Sequence, residues 1–264
     1  MTADTSHGPL VEMHGVQVTA LHDASLTVLK DVNWTVQPGE FWVVAGLPHA
    51  GKSDLLLHAA GLIVPGAGSC RVFGMEAVDF GDNQLVERLR LGYVFADGKL
   101  FHELTLAENI ALPLQYHSGL PADDTVKRVA TLLELLELGP FANLKPSSVA
   151  AVWRHRAALA RALALKPDLL LLDNPNSGLT DRHRRWLVEF LDQLWHGHDF
   201  FDRQPVTIVV TTEDLPVWQH PGRRFAAVHA GTFTALGAWE NDDFTSHQTI
   251  RELLSPPLKR ALHP

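Results

Sequence analysis

Hydrophobic and polar positions alternate through VLKDVNWTV, residues 28–36, before the turn-forming PGE and the unbroken apolar run Phe41 to Ala45. This order predicts a β-hairpin leading into a buried strand. A glycine-bounded loop then opens KSDLLLHAAGL, residues 52–62, which reads as a helix. Short strands are expected at 69–73 and 91–95, and long amphipathic helices at 121–137 and 150–165. Further on, DLLLLD and VTIVVTT read as strands separated by a helix over 181–196. That β-α-β rhythm implies a parallel sheet. FAAVHAGTFTALG, residues 225–237, closes the pattern as a hairpin, and the chain contains no internal repeat or low-complexity segment.

Composition narrows the classes. With 264 residues, 46% hydrophobic and 20% charged, the chain suits one globular domain with a full core. A formal charge of −8 gives no long-range attraction for nucleic acid or anionic lipid, so a nucleic-acid partner is not expected. Cys70 stands alone, which excludes a disulfide framework and a cysteine zinc site within the chain and fits a reducing compartment. The opening MTADTSHGPLVE has neither a basic nor an apolar leader-like region, and no apolar run approaches the roughly 20 residues that span a bilayer. A cytoplasmic protein is expected, with any membrane role mediated by a partner. The 15 histidines are scattered. Their nearest cluster, His196, His198 and Asp199, reads as a solvated helix end because no regular element places a third ligand.

The most specific chemical signal is GLPHAGKS, Gly46 to Ser53, which satisfies G-x-x-x-x-G-K-[ST] between a buried strand and a helix. In that setting backbone N–H groups and the helix N-terminus form an anion nest. Gly46, His49, Ala50, Gly51, Lys52 and Ser53 are therefore candidates for cradling the phosphates of ATP, with Lys52 reaching the outer phosphates and the Ser53 hydroxyl a ligand for Mg²⁺. Asp173, ending a second apolar strand about 120 residues later, is the natural partner for that ion. The fold class expected is α/β: a P-loop NTPase core with an N-terminal antiparallel β part and a helical subdomain near 97–163. One domain is expected over 11–240, after a flexible start at 1–10 and before a short tail at 241–264.

RAALARALALKPDLLLLDNP, Arg156 to Pro175, resembles the ATP-binding subunits of ATP-binding cassette (ABC) transporters through the helix after their signature motif and the following Walker B strand. LGYVFADGKLFHELTLAENIALPL, Leu91 to Leu114, is similar to that family's Q-loop segment and to the groove that receives a coupling helix of the permease. The resemblance runs from about residue 11 to 240. Within the family, DGKLF, LTLAENIALPL and the tail DDFTSHQTIRELLS resemble ATPases that serve MCE-type lipid transporters. Phe101, Leu104 and Ile110 could line the permease groove or pack inside the helical insertion.

Set against the family pattern, the chemical positions depart together. Ala20 stands where an aromatic residue stacks on adenine, so a contact of roughly 1 to 3 kcal/mol is missing. His49 replaces the middle glycine of the loop, at a cost of roughly 1 to 2 kcal/mol if the backbone there is left-handed. Ala96 replaces the Q-loop glutamine, and Asn174 replaces the glutamate that polarises the attacking water. A carboxamide is no general base, and such a loss typically lowers a rate about 10²- to 10⁴-fold. Glu213 replaces the histidine that contacts the γ-phosphate. The signature L-S-G-G-Q falls on Val149, Ala150, Ala151, Val152 and Trp153, and Thr180 replaces the D-loop aspartate. Trp153 reads as a packing residue.

The resemblance thus implies a nucleotide-binding subunit docked on a membrane permease at the inner face of the cell membrane, with hydrolysis absent or severely impaired. Because sites in this family are shared between two subunits, a second ABC ATPase chain in a heterodimer, or a second copy in a homodimer, is the expected partner. Two alternatives stay open. One is an active ATPase with Glu213 as a substitute base, and the other is an ABC-type regulator or scaffold without a permease. Kinases share the phosphate loop but not the Arg156 to Pro175 stretch.

Overall fold

The computed structural model describes residues 8–79, 84–239 and 247–254. Two sheets organise the described chain. The first is antiparallel, in the order β2-β1-β4-β5, built from β1 (Val11–Ala20), β2 (Asp23–Val36), β4 (Ser69–Val72) and β5 (Met75–Glu76). The second has six strands in the order β10-β9-β3-β8-β7-β6, comprising β3 (Phe41–Gly46), β6 (Leu91–Val94), β7 (Leu169–Leu172), β8 (Thr207–Thr212), β9 (Arg224–His229) and β10 (Thr232–Ala238). Pairings among β6, β7, β8, β3 and β9 are all parallel, whereas β9 and β10 form the antiparallel hairpin expected at the end of the pattern.

The continuous apolar runs are explained by which faces are covered. Phe41, Val43 and Ala45 point into one core, on the side of the large helices, while Trp42 and Val44 point into the other, between the two sheets. In β7, Leu170 and Leu172 take the first side and Leu169 and Leu171 the second. A strand buried on both faces cannot afford alternation, so it reads as an apolar block.

The same constraint corrects the expected first hairpin. Strand β2 pairs with β1 in one sheet, and β3 pairs with β8 and β9 in the other. The PGE turn therefore passes the chain between layers; an arm with two buried faces belongs in the middle of a sheet. Trp34 and Trp42 bridge the layers edge to face, with centroids 5.7 Å apart.

Helix α1 (Lys52–Ala59) is shorter than its apolar pattern suggests. Gly61, at φ +65°, closes it with a Schellman pair: Gly61 N–H donates to the His58 carbonyl and Leu62 N–H to that of Leu57. After the one-turn α2 (Leu85–Arg88), the helical part contains α3 (Leu106–His117), α4 (Ala122–Leu135) and α5 (Ala151–Leu163). Helix α6 (Asp181–His196) has the expected bounds. Helix α3, with Pro113 inside it, falls within the helical part expected near 97–163, for which separate bounds are expected only at 121–137 and 150–165. Its start is nonetheless written in the sequence as a capping box between Thr105 and Glu108.

The ends of the chain are more tightly held than expected where they are described. Leu10 is buried and donates its N–H to the Val36 carbonyl, so the flexible start does not extend to it. In the tail, α7 (Gln248–Leu254) buries Ile250 fully against the main core, in contact with β3 and β9. Residues 1–7, 240–246 and 255–264 of these segments lie outside the described residues.

Cys70 sits between the sheets and α1, 1% exposed, with its Sγ 3.4 Å from the His58 carbonyl. Burial pushes its thiol up to about 12. A thiol reagent at pH 8 is expected to label it at least about 100-fold more slowly in the native protein than in denaturant. Equal rates in the two conditions would contradict this packing.

Candidate functional site

Parallel register places the site at one edge of the six-stranded sheet. Ala45 pairs with Thr212, and Leu172 pairs with Val210. The next residue on each strand is therefore Gly46 beside Glu213 and Asp173 beside Thr211. Chain direction does the rest: every parallel strand delivers its C-terminal loop to the same edge, where α/β sheets bind ligands.

The loop after β3 folds tightly into α1. Gly51 has φ +97°, and a Cβ there would stand 2.4 Å from Val28 Cγ1, so this position admits no side chain. His49 also has positive φ, at +61°, and as a non-glycine residue it carries the left-handed cost expected of it, roughly 1 to 2 kcal/mol. Among the described residues, no acceptor within the chain meets the N–H groups of Gly51, Lys52 or Ser53. These three donors remain available to an anion at the helix start.

Lys52 is 5% exposed, and its ammonium donates to the Gly46 carbonyl at 2.9 Å, the Leu47 carbonyl at 2.7 Å and Glu213 Oε1 at 3.4 Å. Burial pulls its pKa below the ordinary lysine range, while the carboxylates of Glu213 and Asp173 work in the opposite direction. Asp173, 6% exposed, accepts from Thr211 Oγ1 at 2.8 Å, and the same Thr211 oxygen accepts the Asn174 N–H at 2.8 Å. Thr211 therefore sets both residues after β7. It was hidden in the sequence because VTIVVTT reads as strand, and only the register shows that this threonine faces Asp173. Asn174 has φ +45°, a left-handed conformation that asparagine adopts more readily than glutamate.

A cleft of about 740 Å³ brings together Ala20, His49, Ala50, Gly51, Lys52, Ser53, Ala96, Asp173, Asn174 and Glu213. Gly46 lies behind it as an acceptor for Lys52. The rim above the loop carries Leu26, Thr27 and Val28 beside Ala20, and among the described residues no Phe, Tyr or Trp lines it. Ala96 is held through its backbone: its carbonyl meets His155 Nε2 at 2.8 Å. His155 is another residue the sequence did not single out. For a divalent cation, the Ser53 hydroxyl and the Asp173 carboxylate form a hard-oxygen donor set that suits Mg²⁺.

Val149, Ala150, Ala151, Val152, Trp153 and Thr180 do not line this cleft. Ala150 is the N-cap of α5 and, having no hydroxyl, leaves that helix start without a side-chain cap. Trp153 packs against Phe141 with centroids 4.5 Å apart and lies 5.0 Å from the Arg156 guanidinium, which agrees with a packing role. Thr180 is the N-cap residue of α6, but its side chain makes no capping bond.

A second concavity, of about 520 Å³, opens between β6, α3 and α5, where Phe101 and Tyr116 are strongly exposed. Of the three residues that could line a groove or pack inside the helical part, Phe101 alone lines this concavity. Ile110, on the inward face of α3, is fully buried in the core, and Leu104, in the turn before that helix, is half-buried outside the groove.

A doubly covered parallel sheet, a glycine loop opening a helix with a buried lysine, and an acidic residue following the strand two places away in the sheet define a P-loop NTPase fold. Comparison with known proteins names the group. The profile of the ABC transporter family matches residues 29–177. Over 218 residues the chain is 32% identical to the methionine import ATP-binding protein MetN 2 of Paraburkholderia xenovorans, covering 82% of this chain and 55% of that protein. It is 31% identical over 203 residues to the energy-coupling factor transporter ATP-binding protein EcfA of Methanothermobacter thermautotrophicus, covering 75% of this chain and 62% of that one. Among solved structures, a dimeric post-hydrolysis state of the ATP-binding cassette MJ0796 bound to ADP and Pi superposes with a TM-score of 0.74 at 28% identity, covering 87% of this chain and all of that one. The chain belongs to the ABC transporter family, and it spans between half and two thirds of the length of these two curated relatives.

The bare start of α5 yields a direct prediction. Ala150→Ser is expected to cap the helix and stabilise the protein by about 1 kcal/mol. For a chain of this size that raises the thermal midpoint by about 2 to 4 °C. An unchanged or lowered midpoint would show that the cap geometry is not the one described.

Proposed function

We propose that this chain is a nucleotide-holding subunit of an ABC transporter that docks on a membrane permease and lacks useful ATP hydrolysis of its own. One observation carries the reading: Lys52, Ser53 and Asp173, which would hold a nucleotide and its Mg²⁺, share a cleft with Ala96, Asn174 and Glu213, none of which supplies the expected chemistry. Mg²⁺, when bound, would neutralise phosphate charge, with Ser53 and Asp173 as its protein ligands. The loop N–H groups would orient the phosphates, but the position expected to hold a histidine presents the Glu213 carboxylate instead. Asn174 cannot take a proton from water.

The rival in which Glu213 serves as base is disfavoured by its engagement with Lys52, which directs its charge toward the loop. Thr180 and the Val149 to Trp153 segment, lying away from this chain's own cleft, fit a face turned toward a second ATPase subunit. In a homodimer both shared sites would lack the base and the signature glycines. A heterodimer with an intact partner would supply one signature and one base, in different sites. The exposed Phe101 and Tyr116 in the groove beside α3 fit a permease contact, an apolar patch of the kind that marks an interaction surface. Among the described residues no helix is long and apolar enough to cross a membrane, so attachment at the inner face of the cell membrane would come through that permease. A lipid cargo rests only on the resemblance of 97–114 and 242–255 to MCE-associated ATPases. Most of the second stretch's non-helical part lies outside the described residues.

Calorimetric titration with Mg-ATP, with phosphate release followed in the same sample, tests the reading. The wild-type chain is expected to bind and the Lys52→Ala variant to lose at least about tenfold in affinity, which is roughly 1.4 kcal/mol. Phosphate release should be no faster in the wild type than in the variant. Sustained turnover that depends on Lys52 would overturn the proposal.

A further inference from the structure

The contact between Lys52 and Glu213 says more about the cleft than the loss of a histidine does. An ammonium has three N–H donors. Here all three are committed: two to the loop carbonyls of Gly46 and Leu47 and the third to the Glu213 carboxylate, 3.4 Å away. Glu213 is fixed in this place by the backbone, since it directly follows Thr212, the residue paired with Ala45 at the end of β3. Its carboxylate thus supplies, from within the protein, the counter-charge that the outer phosphate of a triphosphate would supply to the lysine.

We propose that Glu213 makes the cleft selective for nucleoside diphosphates over triphosphates, its carboxylate standing in for the γ-phosphate as the partner of Lys52. The inference rests on the reading of the cleft as a nucleotide site and adds which nucleotide it takes. The loop N–H groups of Gly51, Lys52 and Ser53 lie at the start of α1 and leave a diphosphate its backbone donors. A third phosphate must take Lys52 from Glu213 and then lie beside the displaced carboxylate, and like charges brought together in a partly buried site oppose binding. The position also faces Asp173, whose carboxylate adds to the negative field felt by Lys52. In an ordinary site of this kind the added γ-phosphate gains contacts; here it meets a place already filled by an anion.

The test uses the full chain in excess Mg²⁺, with a fluorescent ADP analogue bound and then displaced by unlabelled ADP or ATP. Wild type is compared with Glu213→Gln, which keeps the shape and removes the charge, and with Glu213→His. Thermal midpoints of all three establish that they are folded. In the wild type, ADP is expected to displace the probe at least as well as ATP. In Glu213→Gln the ratio should move toward ATP by roughly tenfold or more, and Glu213→His should move it in the same direction. ATP preferred in the wild type, or an unchanged ratio in Glu213→Gln, would overturn the selectivity while leaving the nucleotide site standing. Failure of both ADP and ATP to bind to any of the three proteins would overturn the nucleotide site and the selectivity together.

Discussion

Everything at the cleft depends on one constraint, the parallel register of β3, β8 and β7. Because Ala45 is level with Thr212 and Leu172 with Val210, the residues that follow these strands arrive at the same edge without any loop having to search for its place. Gly46, Asp173 and Glu213 are neighbours for that reason, although as many as 167 positions separate the first from the last. The two cores hold this register rigid: a one-residue slip of a doubly buried strand would exchange which apolar side chains face the helices and which face the antiparallel sheet.

The constraint also explains how Ala96, Asn174 and Glu213 are accommodated at the cleft, as the proposed loss of hydrolysis requires. Lys52 is nearly buried, and a buried ammonium is costly unless its donors are satisfied. The Gly46 and Leu47 carbonyls and the Glu213 carboxylate satisfy them within the chain. Thr211 does the same service for Asp173. The site is thus electrostatically closed on itself, and none of Ala96, Asn174 and Glu213 disturbs the strands that carry it. His49 and Asn174, both at positive φ, show that the loops still take the sharp turns that bring backbone to the cleft.

Much of this was legible in the sequence because the elements that frame the cleft are buried on two faces and therefore write themselves as apolar blocks. Strands β7 and β8 and helix α6 followed directly from DLLLLD, VTIVVTT and the periodicity of 181–196. Legibility failed where a pairing or an inward turn was decided by distant residues. The turn after Val36 looked like a hairpin because alternation says which residues are buried but not by which sheet. Ile110 could be read as facing a groove or packing inside, because the facing of the helix that carries it is set by what packs against it and not by its own pattern, although a capping box marks where that helix starts. Thr211 and His155 were invisible since their roles come from register and from a backbone carbonyl, neither of which leaves a motif.

The central claim, that the cleft holds a nucleotide without cleaving it, is tested most directly in a single turnover, with radiolabelled Mg-ATP mixed with an excess of the chain and the nucleotide recovered from the complex identified over time. The account predicts that the label retained by the protein is still ATP after hours. Conversion to ADP and phosphate at a rate that Lys52→Ala abolishes would contradict it.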